Sequence, residues 1–113
     1  MKKRIERLIG IIDEYFTLKK EGRDVTAEKL EIWIQKIKNI IYPEGERDVG
    51  DVGEDDLPVI KKNLEKDKEQ FNKSLTPEQE YKIDRIIRSR ANELLSFLKN
   101  IKPKKSKEVK ENG

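Results

Sequence analysis

The stretch Thr76-Pro77-Glu78-Gln79-Glu80-Tyr81-Lys82-Ile83-Asp84-Arg85-Ile86-Ile87-Arg88-Ser89-Arg90-Ala91-Asn92-Glu93-Leu94-Leu95-Ser96-Phe97-Leu98-Lys99-Asn100-Ile101 decides the fold. Its apolar residues Ile83, Ile86, Ile87, Ala91, Leu94, Leu95, Leu98 and Ile101 recur three and four apart, the spacing of one face of an α-helix. Its start is a capping box. Thr76 accepts from the backbone of Gln79, the Gln79 side chain answers to Thr76, and Pro77 fills the first helical position. Lys102-Pro103 ends it. The spacing predicts a helix over 77–101.

The rest of the chain assembles around that helix. Ser74-Leu75-Thr76 is a tight connection, so the preceding helix, predicted over 57–75, runs antiparallel beside it. Leu57, Ile60, Leu64, Phe71 and Leu75 share its face, but Asp67 and Lys68 interrupt it. A helix over 26–42 takes its N-cap from Thr26 and offers Leu30, Trp33, Ile34, Ile37 and Ile41 to the core. A buried Trp33 needs a partner for its indole N–H. The first helix is predicted over 2–21 on Ile5, Leu8, Ile9, Ile12, Tyr15 and Phe16. Gly10 lies inside it, and Gly22 follows its end. The expectation is an all-α, four-helix bundle-like single domain over 1–101, with a flexible, disordered Lys-rich basic tail over 102–113.

Charged residues make up 43% of the 113-residue chain and apolar residues 34%, so the apolar pattern rather than the apolar content must carry folding. The net charge of +3 is unevenly spread. Residues 43–56 hold seven carboxylates against Arg47 alone, a net −6, which leaves +9 on the remainder. This stretch lacks periodicity, contains Gly45, Gly50 and Gly53, and is expected to be an exposed mobile acidic loop.

With no Cys and no His, the chain lacks disulfides, a thiol nucleophile, the usual general base and the commonest metal ligand. The Arg-x-x-x-x-His motif of HEPN-type ribonucleases is therefore excluded. Glu28-Lys29-Leu30-Glu31 offers half of the paired Glu-x-x-Glu set that holds Mg²⁺ in all-α pyrophosphohydrolases, and no second half follows. Asp48, Asp51, Glu54, Asp55 and Asp56 do not keep EF-hand spacing. No catalytic residue, cofactor, metal or small-molecule substrate is implied. No apolar run reaches membrane-span length, and a cytoplasmic location is expected.

What remains is a non-catalytic protein–protein interaction or regulatory module that binds another protein or a second copy of itself. Ile32 and Ile40 form a second apolar strip for that contact, guided by the acidic Asp48, Asp51, Glu54 and Asp55. The alternative is an accessory nucleic-acid-binding protein using Arg85, Arg88 and Arg90 with the tail residues Lys102, Lys104 and Lys105. On the strip reading, Ile32→Glu and Ile40→Glu each change self-association in light scattering while the helical circular dichroism signal stays intact; loss of that signal instead places the residue in the core.

Overall fold

Helices form where the apolar periodicity places them: α1 (Lys2–Lys20), α2 (Ala27–Ile41), α3 (Leu57–Gln70) and α4 (Pro77–Lys99), with a single 3₁₀ turn at Glu54–Asp56. The computed structural model describes residues 2–71, 73 and 75–101, and contains no strand among them. The expected tail, including Lys102, Lys104 and Lys105, lies outside the described residues.

The caps are those the side chains supply. Thr76 Oγ1 accepts from Gln79 N at 3.2 Å and Gln79 Oε1 accepts from Thr76 N at 2.9 Å. Thr26 Oγ1 accepts from Lys29 N. Asp56 stands at the N-cap position of α3 but turns its carboxylate back to Gly53 N. α3 ends at Gln70 rather than near 75, and Phe71 N closes the end by donating to Lys68 O. Phe71 and Leu75 still pack on the core from the connection.

One hydrophobic cluster takes Ile5, Leu8 and Ile12 from α1, Trp33, Ile37 and Ile41 from α2, Leu57 and Leu64 from α3, and Ile87 and Leu94 from α4. Each such side chain contributes about 1.5–3 kcal/mol on burial, before chain entropy is set against it. Trp33 is fully buried, and its indole N–H donates to Glu14 Oε1 at 3.0 Å. Glu14 also accepts from Lys29 Nζ, and these bonds hold its carboxyl below the usual carboxylate range.

Ile40 requires a correction. It is 1% exposed, in the core beside Ile41, whereas Ile32 is 54% exposed. The two are eight residues apart, which on a 3.6-residue helix is a rotation of about 80°, enough to carry one from solvent into the bundle. They do not form a shared strip. Ile86, placed with the core by its spacing, is 40% exposed.

Helix directions follow from pairs at matching heights. Asp13 meets Lys61 and Glu6 meets Lys68, so α1 and α3 are antiparallel. Arg4 meets Asp84, and the Tyr15 ring lies edge-on to Phe97, so α4 runs with α1. The four-residue bend before Val25 makes α2 antiparallel to α1. Consequently α2 and α3 run the same way, and their link must travel the length of the bundle.

That link, residues 42–53, is tied along α4 as a strap. Arg88 Nη1 meets Glu44 at 2.9 Å, Asn92 Oδ1 accepts from Arg47 N at 2.9 Å, and Ser96 Oγ donates to Gly50 O at 3.0 Å. Arg88, Asn92 and Ser96 are successive turns of one helix edge. In the echo Asp48-Val49-Gly50-Asp51-Val52-Gly53, Val52 is buried, Val49 is half-buried and both aspartates are exposed. Gly50 has φ +84°, a left-handed conformation that favours glycine, and Asp48 Oδ1 accepts from its N–H. The stretch expected to be a mobile loop is thus a tethered crossover.

Gly10 meets nothing within 4 Å of an added Cβ, so it is not a close-approach residue. Gly10→Ala is expected to raise unfolding stability by about 0.5–1 kcal/mol, and Thr76→Ala to lower it by about 1 kcal/mol, both read by urea denaturation. Ile40→Glu puts a carboxylate into the core and is expected to abolish the helical signal at 25 °C, whereas Ile32→Glu leaves it intact.

Candidate functional site

Three of the five described cations of α4 are used by the fold. Arg90 Nε pairs with the buried Asp67 Oδ2 at 2.6 Å, joining α4 to α3. Asp67, which breaks the apolar face of α3 in the sequence, is therefore an inward anchor. Arg88 holds Glu44, and its Nε lies 3.1 Å from Asp84 Oδ2 in an ion-pair contact without hydrogen-bond alignment. Lys99 Nζ pairs with Glu46 at 2.7 Å, which holds the Glu46 carboxyl below its usual range. Arg88 and Arg90, expected as phosphate contacts, are instead paired within the chain, and a cation already paired with a carboxylate is a poor partner for a phosphate.

Lys82 and Arg85 have no ion-pair partner among the described residues, and both are exposed. Beside them stand the two large apolar side chains that α4 does not bury, Tyr81 at 63% exposure and Ile86 at 40%. Lys82, Arg85, Ile86 and Ser89, with Arg47 from the strap and Arg90, line an open depression of about 560 Å³. Helical spacing puts Lys82, Arg85, Ser89 and Glu93 on one outward stripe. The strap bounds this stripe on the Arg88–Asn92–Ser96 side, and α3 bounds it on the Arg90 side.

Farther along the same stripe the charge reverses. Glu93 closes a groove of about 240 Å³ with Asp51 and Val52 of the strap and Asp56, Val59 and Asn63 at the head of α3. Val59 is 59% exposed there. A third hollow, about 420 Å³, lies between the strap and the end of α4. Its Glu46, Asn92, Ser96 and Lys99 already bond one another or the strap, so few polar groups remain to recognise a ligand.

The expected acidic contact residues have divergent fates. Glu54 accepts from Tyr15 Oη at 3.1 Å and pairs with Lys19 at 3.3 Å, which fixes the far end of the strap to α1. Asp48 caps its own turn, whereas Asp51 and Asp55 are exposed. No group of three or more acidic side chains among the described residues has the geometry of a metal site. No described helix is long and apolar enough to cross a membrane.

Sequence reasoning missed Arg47, Asn92, Ser96, Asp67 and Glu93. A signal existed for the strap: Arg88, Asn92 and Ser96 are polar at four-residue intervals immediately beside the apolar face. Nothing local marks Asp67 as the partner of Arg90. Comparison with known proteins returns no match, whether a family model, a curated protein or a solved structure.

Burial and donation to Glu54 push the Tyr15 phenol up to about 12. Its neutral form is the one the fold favours, so this contribution is complete below the ordinary tyrosine value of 10.0 and is lost as pH rises toward about 12. Glu54→Gln keeps an acceptor but removes the charge. In a chain carrying Tyr42→Phe and Tyr81→Phe, absorbance at the phenolate band is expected to show a lower titration midpoint for Tyr15 after Glu54→Gln.

Proposed function

We propose that this protein is a non-catalytic helical interaction module whose contact face is the outer stripe of α4, and that it binds a protein surface carrying carboxylates beside apolar side chains. One observation carries the reading. Arg88, Arg90 and Lys99 are paired internally and the remaining apolar residues of α4 are buried, while the unpaired Lys82 and Arg85 stand beside the exposed Tyr81 and Ile86. Aromatic and arginine side chains grouped around an apolar centre are the composition of binding hot spots. Unpaired cations at their rim guide encounter with an acidic partner.

The contact face differs from the one expected from sequence. Ile32 stays exposed on α2 but without Ile40, and the strap carboxylates Glu44 and Glu46, with Glu54 of the 3₁₀ turn, are engaged within the chain. A second reading, an accessory nucleic-acid-binding protein, is favoured by the exposed Tyr81 adjoining Lys82, which together suit base stacking and phosphate contact. The internal pairing of Arg88 and Arg90 weighs against it.

A photoreactive phenylalanine at Tyr81, activated in cells that express the chain, separates the two. The interaction reading expects a discrete protein adduct that disappears when Lys82→Glu and Arg85→Glu are introduced together. A nuclease-sensitive adduct, with salt-dependent retardation of nucleic-acid probes by the purified chain, establishes the second reading instead. Absence of any charge-dependent adduct sinks both.

A further inference from the structure

We infer that the occupant of the α4 stripe is a second copy of this chain, laid antiparallel across the first about a two-fold axis passing near Ser89. This rests on the interaction reading above and adds the identity of the partner.

Charge reverses along one outward stripe of α4, exposed at Lys82, Arg85 and Ser89 and half-buried at Glu93. Lys82 and Arg85 stand on one side of Ser89, while Glu93, with the neighbouring carboxylates Asp51 and Asp56, stands on the other. Arg85, Asp51 and Glu93 have no ion-pair partner among the described residues, so each is available for a partner outside the chain. Arg85 and Glu93 are eight residues apart, about 12 Å along the axis. Ser89 is midway between them, four residues from each and on the same stripe.

A face with opposite signs about a midpoint is complementary to itself under a two-fold rotation. Arg85 of each copy then meets Glu93 of the other, and the contact is made twice. Each end also brings an exposed apolar side chain, Ile86 near the cationic half and Val59 near the acidic half, so apolar surface accompanies each charge pair. Ser89 is small and exposed, and therefore suits the crossing point. Packed helices approach to about 8–10 Å between axes, and the backbone cylinder has a radius of about 2.3 Å. The two Ser89 Cα atoms then lie about 3.4–5.4 Å apart, which overlaps the span of roughly 4.4–6.8 Å that a disulfide bridges.

Size sets the strength. Tyr81 to Glu93 spans about 18 Å, so the contact covers a few hundred Å² per copy, below the roughly 800 Å² per partner of a standard stable interface. The dimer is therefore weak, reversible and salt-sensitive.

Sedimentation equilibrium of the full chain at rising concentration and low salt tests this directly. The expected result is a monomer–dimer equilibrium that stops at the dimer and weakens as salt is added. Arg85→Glu and Glu93→Lys should each weaken the dimer by on the order of tenfold, because each reversal acts at both symmetric contacts. Combining them in one chain should restore it, which also shows that neither substitution acts by unfolding. Because the chain contains no Cys, Ser89→Cys introduces its only thiol, and mild oxidation should link two copies through it; Glu28→Cys on the outside of α2 should not link. A monomer at every concentration, growth beyond the dimer, failure of the double variant to restore association, or no Ser89→Cys linkage overturns the inference. A chain that stays monomeric yet forms the charge-dependent Tyr81 adduct with a different protein overturns the self-pairing and leaves the interaction reading standing. Loss of both removes both.

Discussion

Two helices that run in the same direction cannot be joined by a short turn, and this constraint organises the molecule. α2 ends at the end of the bundle where α4 begins, and α3 begins at the opposite end. The connection must cross the bundle, and it does so against α4. A dozen residues carrying many carboxylates and glycines have little tendency to order on their own. They are held by one contact per helical turn, at Arg88, Asn92 and Ser96, and by Glu54 on Tyr15 and Lys19 at the far end. The crossover in turn places Val52 over the core, so part of the apolar burial depends on polar contacts holding the strap in position.

The strap also decides what the surface of α4 can offer. By occupying the Arg88 edge and leaving α3 on the Arg90 edge, it reduces the helix to a narrow exposed stripe. Charges at its margins are consumed by Glu44, Asp84 and Asp67, while those along its centre are left over. A half-buried ion pair such as Arg90–Asp67 adds little net stability once desolvation is counted, but it fixes the register of two helices because the alternative is an unpaired buried carboxylate. The interior uses cations of α4 for architecture, and the residues left outside form the proposed contact face.

Much of the fold was legible in the residues. The capping box at Thr76–Gln79, the Thr26 cap, the burial of Trp33 and its need for an acceptor, and the apolar faces of all four helices are local properties that survive into the structure. The exposed surface of the helices was less legible. Ile40 reads as part of an outer strip only if α2 has one partner; with α1 on one side and α4 on the other, its buried arc widens to take Ile40 in and leaves Ile32 out. Arg88 and Arg90 read as a basic surface because Glu44 and Asp67, their partners, are 44 and 23 residues away in the chain.

The sequence by itself determined which segments are helical, where they start, and the absence of His and Cys, because caps, periodicity and residue type act within a few residues or need no geometry at all. Tertiary structure alone decided that α2 and α3 run the same way, that the acidic segment is a strap along α4, and which of Lys82, Arg85, Arg88 and Arg90 find an ion-pair partner among the described residues. Those outcomes depend on pairings between residues far apart in the chain, and no periodicity encodes a partner's position. Even Thr76–Ile101, the most plainly written element, carries its boundaries in its own residues, while its outward stripe of Lys82, Arg85, Ser89 and the half-buried Glu93 exists only because the strap and α3 cover the rest.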